Sequence, residues 1–145
     1  MKKRVLFIED EAFTVKAFVK YLNEFEDYNV ELLEDLTEAV RLLSIHKYDL
    51  IILDIMLPHN GIIDEKVSPK KSGIAFARAL RQGRVAGHNV AENADIPLLV
   101  LTAVVDPRST REIKMLKPAG ILRKPVAWTE FFDAVQTTTS SHTTE

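Results

Sequence analysis

Short apolar runs and longer amphipathic stretches alternate along this chain. Val5-Leu6-Phe7-Ile8, Leu50-Ile51-Ile52-Leu53 and Ile96-Pro97-Leu98-Leu99-Val100-Leu101 are nearly continuous hydrophobic runs. Their length and branched side chains predict strands buried on both faces. Tyr28–Leu33 alternates more, which predicts a strand nearer the sheet edge, and Ile121-Leu122-Arg123 predicts a short last strand. Between these runs the spacing turns helical. Residues 12–25 place Phe13, Ala17, Phe18 or Val19, Leu22 and Phe25 on one face, and Thr37 is the candidate N-cap of a helix carrying Val40, Leu42, Leu43 and Ile45. Residues 73–81 continue through Ile74, Phe76, Ala77 and Leu80. Residues 109–116 are a shorter helix, stopped by Lys117-Pro118-Ala119-Gly120, and Thr129 caps a last helix with Phe131, Phe132 and Val135.

A strand followed by a helix, five times over, predicts an α/β fold: a doubly wound, five-stranded parallel sheet of order 2-1-3-4-5 with helices on both faces. In that order the first and third strands are neighbours, and ligands gather at the carboxyl ends of the strands at this switch point. Residues 1–136 read as one domain. Residues 137–145, a Ser/Thr-rich stretch without core residues, read as a disordered tail. Two connections are long for so compact a unit: the polar stretch 59–71 and the stretch 82–95.

Composition narrows the function by exclusion. A net charge of −2 gives no reason to expect nucleic-acid or membrane-surface binding. The absence of cysteine removes disulfides, thiolate metal sites and cysteine nucleophiles, and fits a reducing, cytoplasmic setting. No hydrophobic stretch is long enough to span a bilayer. His46, His59, His88 and His142 have no ligand spacing and read as surface residues, and Trp128 as a packing or surface residue.

Chemistry enters at the predicted strand ends. Glu9 and Asp10 follow the first strand, Asp54 the third, Thr102 the fourth and Lys124 the fifth. A carboxylate at the end of a buried strand is costly to desolvate and needs a partner. Three carboxylates together call for a hard divalent cation such as Mg²⁺, which takes a few carboxylates and keeps water positions open. Lys124 supplies a compact positive charge and Thr102 a hydroxyl donor. That set suits a phosphoryl group passing to a carboxylate oxygen, with Asp54 as the nucleophile that forms an acyl phosphate.

Glu9-Asp10, Leu53-Asp54-Ile55-Met56-Leu57-Pro58, Thr102-Ala103 and Lys124-Pro125, in these strand contexts, resemble the receiver domains of two-component response regulators (CheY-like). The resemblance covers nearly the whole chain except its tail. It implies that Asp54 accepts a phosphoryl group from a histidine kinase or a histidine phosphotransfer protein, and that Thr102 and Lys124 contact that group. It also implies Mg²⁺ held directly by Asp10 and Asp54, with the Met56 backbone carbonyl as a further ligand and Glu9 partly through water. Lys124-Pro125 would be a cis peptide. By the same resemblance the chain is not an enzyme in the usual sense: it catalyses only its own phosphorylation and dephosphorylation. With no room for a DNA-binding output domain it would act alone, through a downstream protein reading the surface around the fourth helix, last strand and fifth helix; the resemblance leaves a dimer open.

Two departures stand out. Ile121 occupies the position, three residues before the lysine, where such domains usually carry Tyr or Phe. Both long connections flank the third helix. Other readings of the same residues are a small Mg²⁺-dependent phosphatase with an aspartyl nucleophile and a degenerate receiver acting as a scaffold. The phosphatase reading lacks its usual second aspartate, since Met56 stands two residues after Asp54. A nucleotide-binding protein of this fold is weaker still, because no Gly-rich loop follows the first strand.

Overall fold

A computed structural model describes residues 2–55, 72–84, 94–103 and 106–140. Five parallel strands, β1 (Lys3–Ile8), β2 (Tyr28–Leu33), β3 (Leu50–Asp54), β4 (Leu98–Thr102) and β5 (Gly120–Arg123), form one sheet of order β2-β1-β3-β4-β5. The helices are α1 (Lys16–Phe25), α2 (Leu36–Ile45), α3 (Ser72–Arg81), α4 (Pro107–Met115) and α5 (Trp128–Ser140), with a short 3₁₀ turn at Ala12–Thr14 before α1. The predicted fold is therefore the observed one.

The strands' two-residue period sorts the core into two layers. Leu6, Ile8, Ile51, Leu53 and Val100 face a layer that includes Leu36 and Leu43 of α2, Ile74 and Leu80 of α3, and Ile113 of α4. Val5, Phe7, Leu50, Ile52 and Leu101 point the other way, toward Val19 and Leu22 of α1 and Phe131 and Val135 of α5. A continuous hydrophobic run is what a strand covered on both faces requires.

Several local expectations are corrected. The inward face of α1 starts at Val15 and continues through Val19 and Leu22. Phe13 and Phe25 are 73% and 68% exposed. The 3₁₀ turn interrupts the helical phase, so residues 12–14 do not share the register of Lys16–Phe25. In α2 the N-cap is Asp35 rather than Thr37; its carboxylate accepts from the Glu38 amide at 3.2 Å. That start lets Leu36 be fully buried, and it leaves Ile45 52% exposed. β4 starts at Leu98, two residues later than predicted, and α4 starts at Pro107, capped by Asp106 accepting from the Ser109 amide at 2.8 Å. Thr129 lies inside the first turn of α5, which already begins at Trp128.

The last helix also runs past the predicted boundary, so residues 137–140 are helical rather than disordered. Thr138 and Thr139 are buried there. Their hydroxyls donate back to carbonyls one turn earlier, which removes the cost of burying them. Thr139 Oγ1 also meets the Tyr28 hydroxyl at 2.9 Å, fastening the helix end to the edge strand. The stretch 59–71 and most of 82–95 lie outside the described residues, as do residues 141–145.

Candidate functional site at the carboxyl rim of the sheet

The parallel register brings the strand-end residues together. Ile8 pairs with Leu53, which puts Glu9 beside Asp54; Asp54 pairs with Leu101, one residue before Thr102; Thr102 pairs with Arg123, one residue before Lys124. A backbone hydrogen bond from Lys124 to the Thr102 carbonyl, 2.9 Å, closes the rim. The Lys124–Pro125 peptide is cis.

Glu9 is fully buried, Asp54 is 4% exposed, Thr102 is buried and Asp10 is exposed. Lys124 Nζ donates to Asp54 Oδ2 at 3.1 Å and lies 2.7 Å from Glu9 Oε1. The second contact is a charge contact without hydrogen-bond alignment. The other Glu9 oxygen accepts from the Glu11 amide at 3.2 Å. Burial pushes the Glu9 carboxyl up, but its interactions with Asp54, Lys124 and the Glu11 amide outweigh this and hold it below its ordinary value. Burial likewise pulls Lys124 down, and its two carboxylate partners overcome this and raise it. The pair is thus held ionised.

Glu9, Asp10 and Asp54 each offer a carboxylate oxygen within 4.8 Å of the others. Two of the three are buried, and the donors are all oxygen, the chemistry that Mg²⁺ prefers and that softer metals do not require. One ammonium does not balance three carboxylates, so the residues present fit a divalent cation. The remaining predicted ligand, the Met56 carbonyl, lies outside the described residues.

Of the predicted site residues, Glu9, Asp10, Asp54, Thr102 and Lys124 all reach one rim. Gly73 is a contributor that the strand-end reasoning passed over. Its amide donates to the Ile55 carbonyl at 2.8 Å, and a Cβ there would lie 2.5 Å from the Asp54 carbonyl oxygen. A glycine opening a helix, where it costs helix propensity, was the available signal. Ile121, at the usual aromatic position, is exposed on β5 opposite Val100.

Comparison with known proteins decides the family. A profile of the response regulator receiver domain matches residues 5–136. The chain belongs to that family. It is 29% identical over 103 residues to response regulator MprA of Mycobacterium sp. (strain KMS), covering 71% of this chain and 36% of that protein. It is 31% identical over 103 residues to the alkaline phosphatase synthesis transcriptional regulatory protein PhoP of Bacillus subtilis (strain 168), covering 71% of this chain and 34% of that one. The receiver domain thus spans about a third of the length of the curated relatives it matches. Among solved structures, the signal receiver domain of a signal transduction histidine kinase from Syntrophus aciditrophicus superposes with a TM-score of 0.75 at 24% identity, covering 99% of this chain and 94% of the other. A CheY-like receiver domain protein from Methanospirillum hungatei JF-1 gives 0.70 at 16%, covering 97% and 96%. Both likenesses speak for the fold. Among the described residues no helix is long and apolar enough to cross a membrane.

Proposed function

We propose that this receiver domain is a phosphoacceptor. Asp54 takes a phosphoryl group from a phosphohistidine on a histidine kinase or histidine phosphotransfer protein, and the phosphorylated domain presents a changed surface to a downstream protein, in the cytoplasm. The observation that carries this reading is the Lys124 ammonium 3.1 Å from an Asp54 carboxylate that is only 4% exposed, with Glu9 and Asp10 beside it.

An Asp54 oxygen attacks phosphorus, forming a P–O bond as the P–N bond to the donor imidazole breaks; the imidazole leaves with the electron pair and takes a proton from water. Lys124, donating to Asp54 Oδ2 at 3.1 Å, orients the carboxylate and then turns its charge to the transferred group. Thr102 donates its hydroxyl to a phosphoryl oxygen. Burial of Asp54 restricts water, which slows hydrolysis of the acyl phosphate. Mg²⁺, held by Asp10, Asp54, the Met56 carbonyl and, partly through water, Glu9, would supply positive charge against the phosphoryl oxygens.

The test is intact-mass analysis after incubation with Mg²⁺ and acetyl phosphate. A single phosphoryl adduct is expected, stable in acid, labile in base, and lost in Asp54→Asn. An adduct that persists in Asp54→Asn, or none in the unaltered protein, overturns the assignment. Rapid multiple turnover of a phosphate ester would instead identify a phosphatase.

A further inference from the structure

Phe25, Tyr21, Trp128 and Phe132 form a row across the seam between α1 and α5, with successive ring centroids 5.1, 4.8 and 5.2 Å apart. Phe25 is 68% and Tyr21 42% exposed, and Trp128 and Phe132 are half-buried. Single exposed apolar side chains are ordinary, but a contiguous aromatic patch with a polar border marks an interaction surface. We propose that this face is a homodimer interface, in which α1 of one subunit packs against α5 of a second copy of the chain.

The charges that border the patch select a second copy. Helical periodicity sets Lys16 and Lys20 on the flank of α1 away from α5, and Glu130 and Asp133 on the flank of α5 away from α1. All four are exposed, and none forms an ion pair among the described residues. The face is thus positive on one side, aromatic in the middle and negative on the other. A uniformly acidic or basic partner, or an anionic membrane, would satisfy one flank and be repelled by the other. A two-fold rotation about an axis along the seam sets each flank against its opposite, and does so twice. Both helices cover the same face of a parallel sheet, so they run in the same direction, and the Tyr21–Trp128 contact fixes their level. The rotation therefore lays Lys20 against Glu130 of the partner subunit and brings the two aromatic rows together at the centre. Aromatic residues at the core and charges at the rim are the usual anatomy of such an interface. Glu24, on the outer face of α1, opposes Asp133 of the partner subunit, which keeps the association weak and reversible.

The experiment is sedimentation equilibrium of the full chain at micromolar to submillimolar concentrations, with the emission of Trp128, the sole tryptophan, followed on dilution. A reversible monomer–dimer equilibrium is expected, with a matching change in emission. Phe25→Glu places a charge in the patch at an exposed position and should weaken the dimer at least about tenfold while the thermal melt stays cooperative. Lys20→Glu and Glu130→Lys should each weaken it several-fold, because each turns both symmetry-related pairs repulsive. Mixed in equal amounts, these two variants should associate with close to the unaltered affinity, since both pairs of the mixed dimer are again opposite in sign. A chain that stays monomeric throughout, as it would if this face served a different protein, overturns the proposal. So does undiminished association of Phe25→Glu, or a mixture no tighter than its components. The measurement needs neither phosphodonor nor metal, so its failure leaves the phosphoacceptor reading standing.

Discussion

Lys124 lies closer to Glu9, at 2.7 Å, than to Asp54, the residue it is expected to serve, at 3.1 Å. The lysine therefore neutralises a fully buried carboxylate as well as facing the nucleophile. Lys124→Met should cost about 3 kcal/mol at neutral pH, because breaking a buried pair strands the remaining charge. Its pH dependence should also change sign. In the unaltered protein Glu9 titrates below its ordinary 4.5, so its contribution is present above that value and is lost as pH falls through the folded-state pKa. Without the lysine, Glu9 and Asp54 repel, a carboxyl pKa rises, and the variant should gain stability as pH falls toward the carboxylate range. Urea melts across pH check this; a variant that loses stability on acidification as the parent does would refute it.

Divalent metal should stabilise the fold through the same carboxylates. At a Mg²⁺ concentration about a hundredfold above its dissociation constant, linkage adds about 2.7 kcal/mol, and a chelator removes it. Asp10→Asn should abolish most of the gain and leave the metal-free melting temperature nearly unchanged, since Asp10 is exposed. Calorimetric melts with and without Mg²⁺ decide this.

Gly73→Ala should disturb the site from behind. The added methyl would lie 2.5 Å from the Asp54 carbonyl oxygen and 2.6 Å from Ile55 Cα, both backbone atoms that cannot rotate away. Overpacking of this kind costs about 1–3 kcal/mol. Any gain in helix propensity from alanine is smaller. Chemical denaturation gives the stability, and phosphorylation by acetyl phosphate should slow as β3 and α3 are forced apart.

Tyr48 should govern alkaline unfolding. Its hydroxyl donates to Glu31 Oε1 at 2.6 Å, and burial, then Glu31, raise its pKa above the ordinary 10. A raised folded-state value means that the stabilisation is complete below pH 10 and is lost as pH rises beyond it. Tyr48→Phe should be less stable at neutral pH by about 1 kcal/mol, the net worth of a hydrogen bond. Its stability should then fall less steeply above pH 10, measured by fluorescence-detected melts.

Arg81 should be hard to replace. It donates to the Ile96 and Ala94 carbonyls at 2.5 and 3.0 Å and to the Leu116 carbonyl at 3.3 Å, joining the end of α3 to the start of β4 and the end of α4. Arg81→Met keeps the apolar stem and removes every donor. A loss of about 2–3 kcal/mol is expected, with the first increase in amide exchange around residues 113–116.

The order of elements and the identity of the rim were legible in the primary chain, because both are written in local patterns. A buried parallel strand must be a short apolar run, and Asp54 or Lys124 at the end of one is conspicuous against it. What depended on neighbours was not legible. Whether Asp35 or Thr37 caps α2 is decided by which start buries Leu36 against the sheet. Phe13 satisfies the spacing of α1 yet stays in solvent, because a 3₁₀ turn shifts the phase. Thr138 and Thr139 look like tail in one dimension and become core once Tyr28 lies across from them.

Local pattern along the chain was enough to specify five strand-helix pairs in a parallel sheet, with acids, a hydroxyl and a lysine at its carboxyl rim. Packing between elements is what shares Lys124 between Glu9 and Asp54 and requires Gly73 to be bare for α3 to approach Asp54. Periodicity fixes which way a side chain faces within its own element. Distances between elements come from packing, and it is at those distances that charge, metal affinity and cavity shape are set.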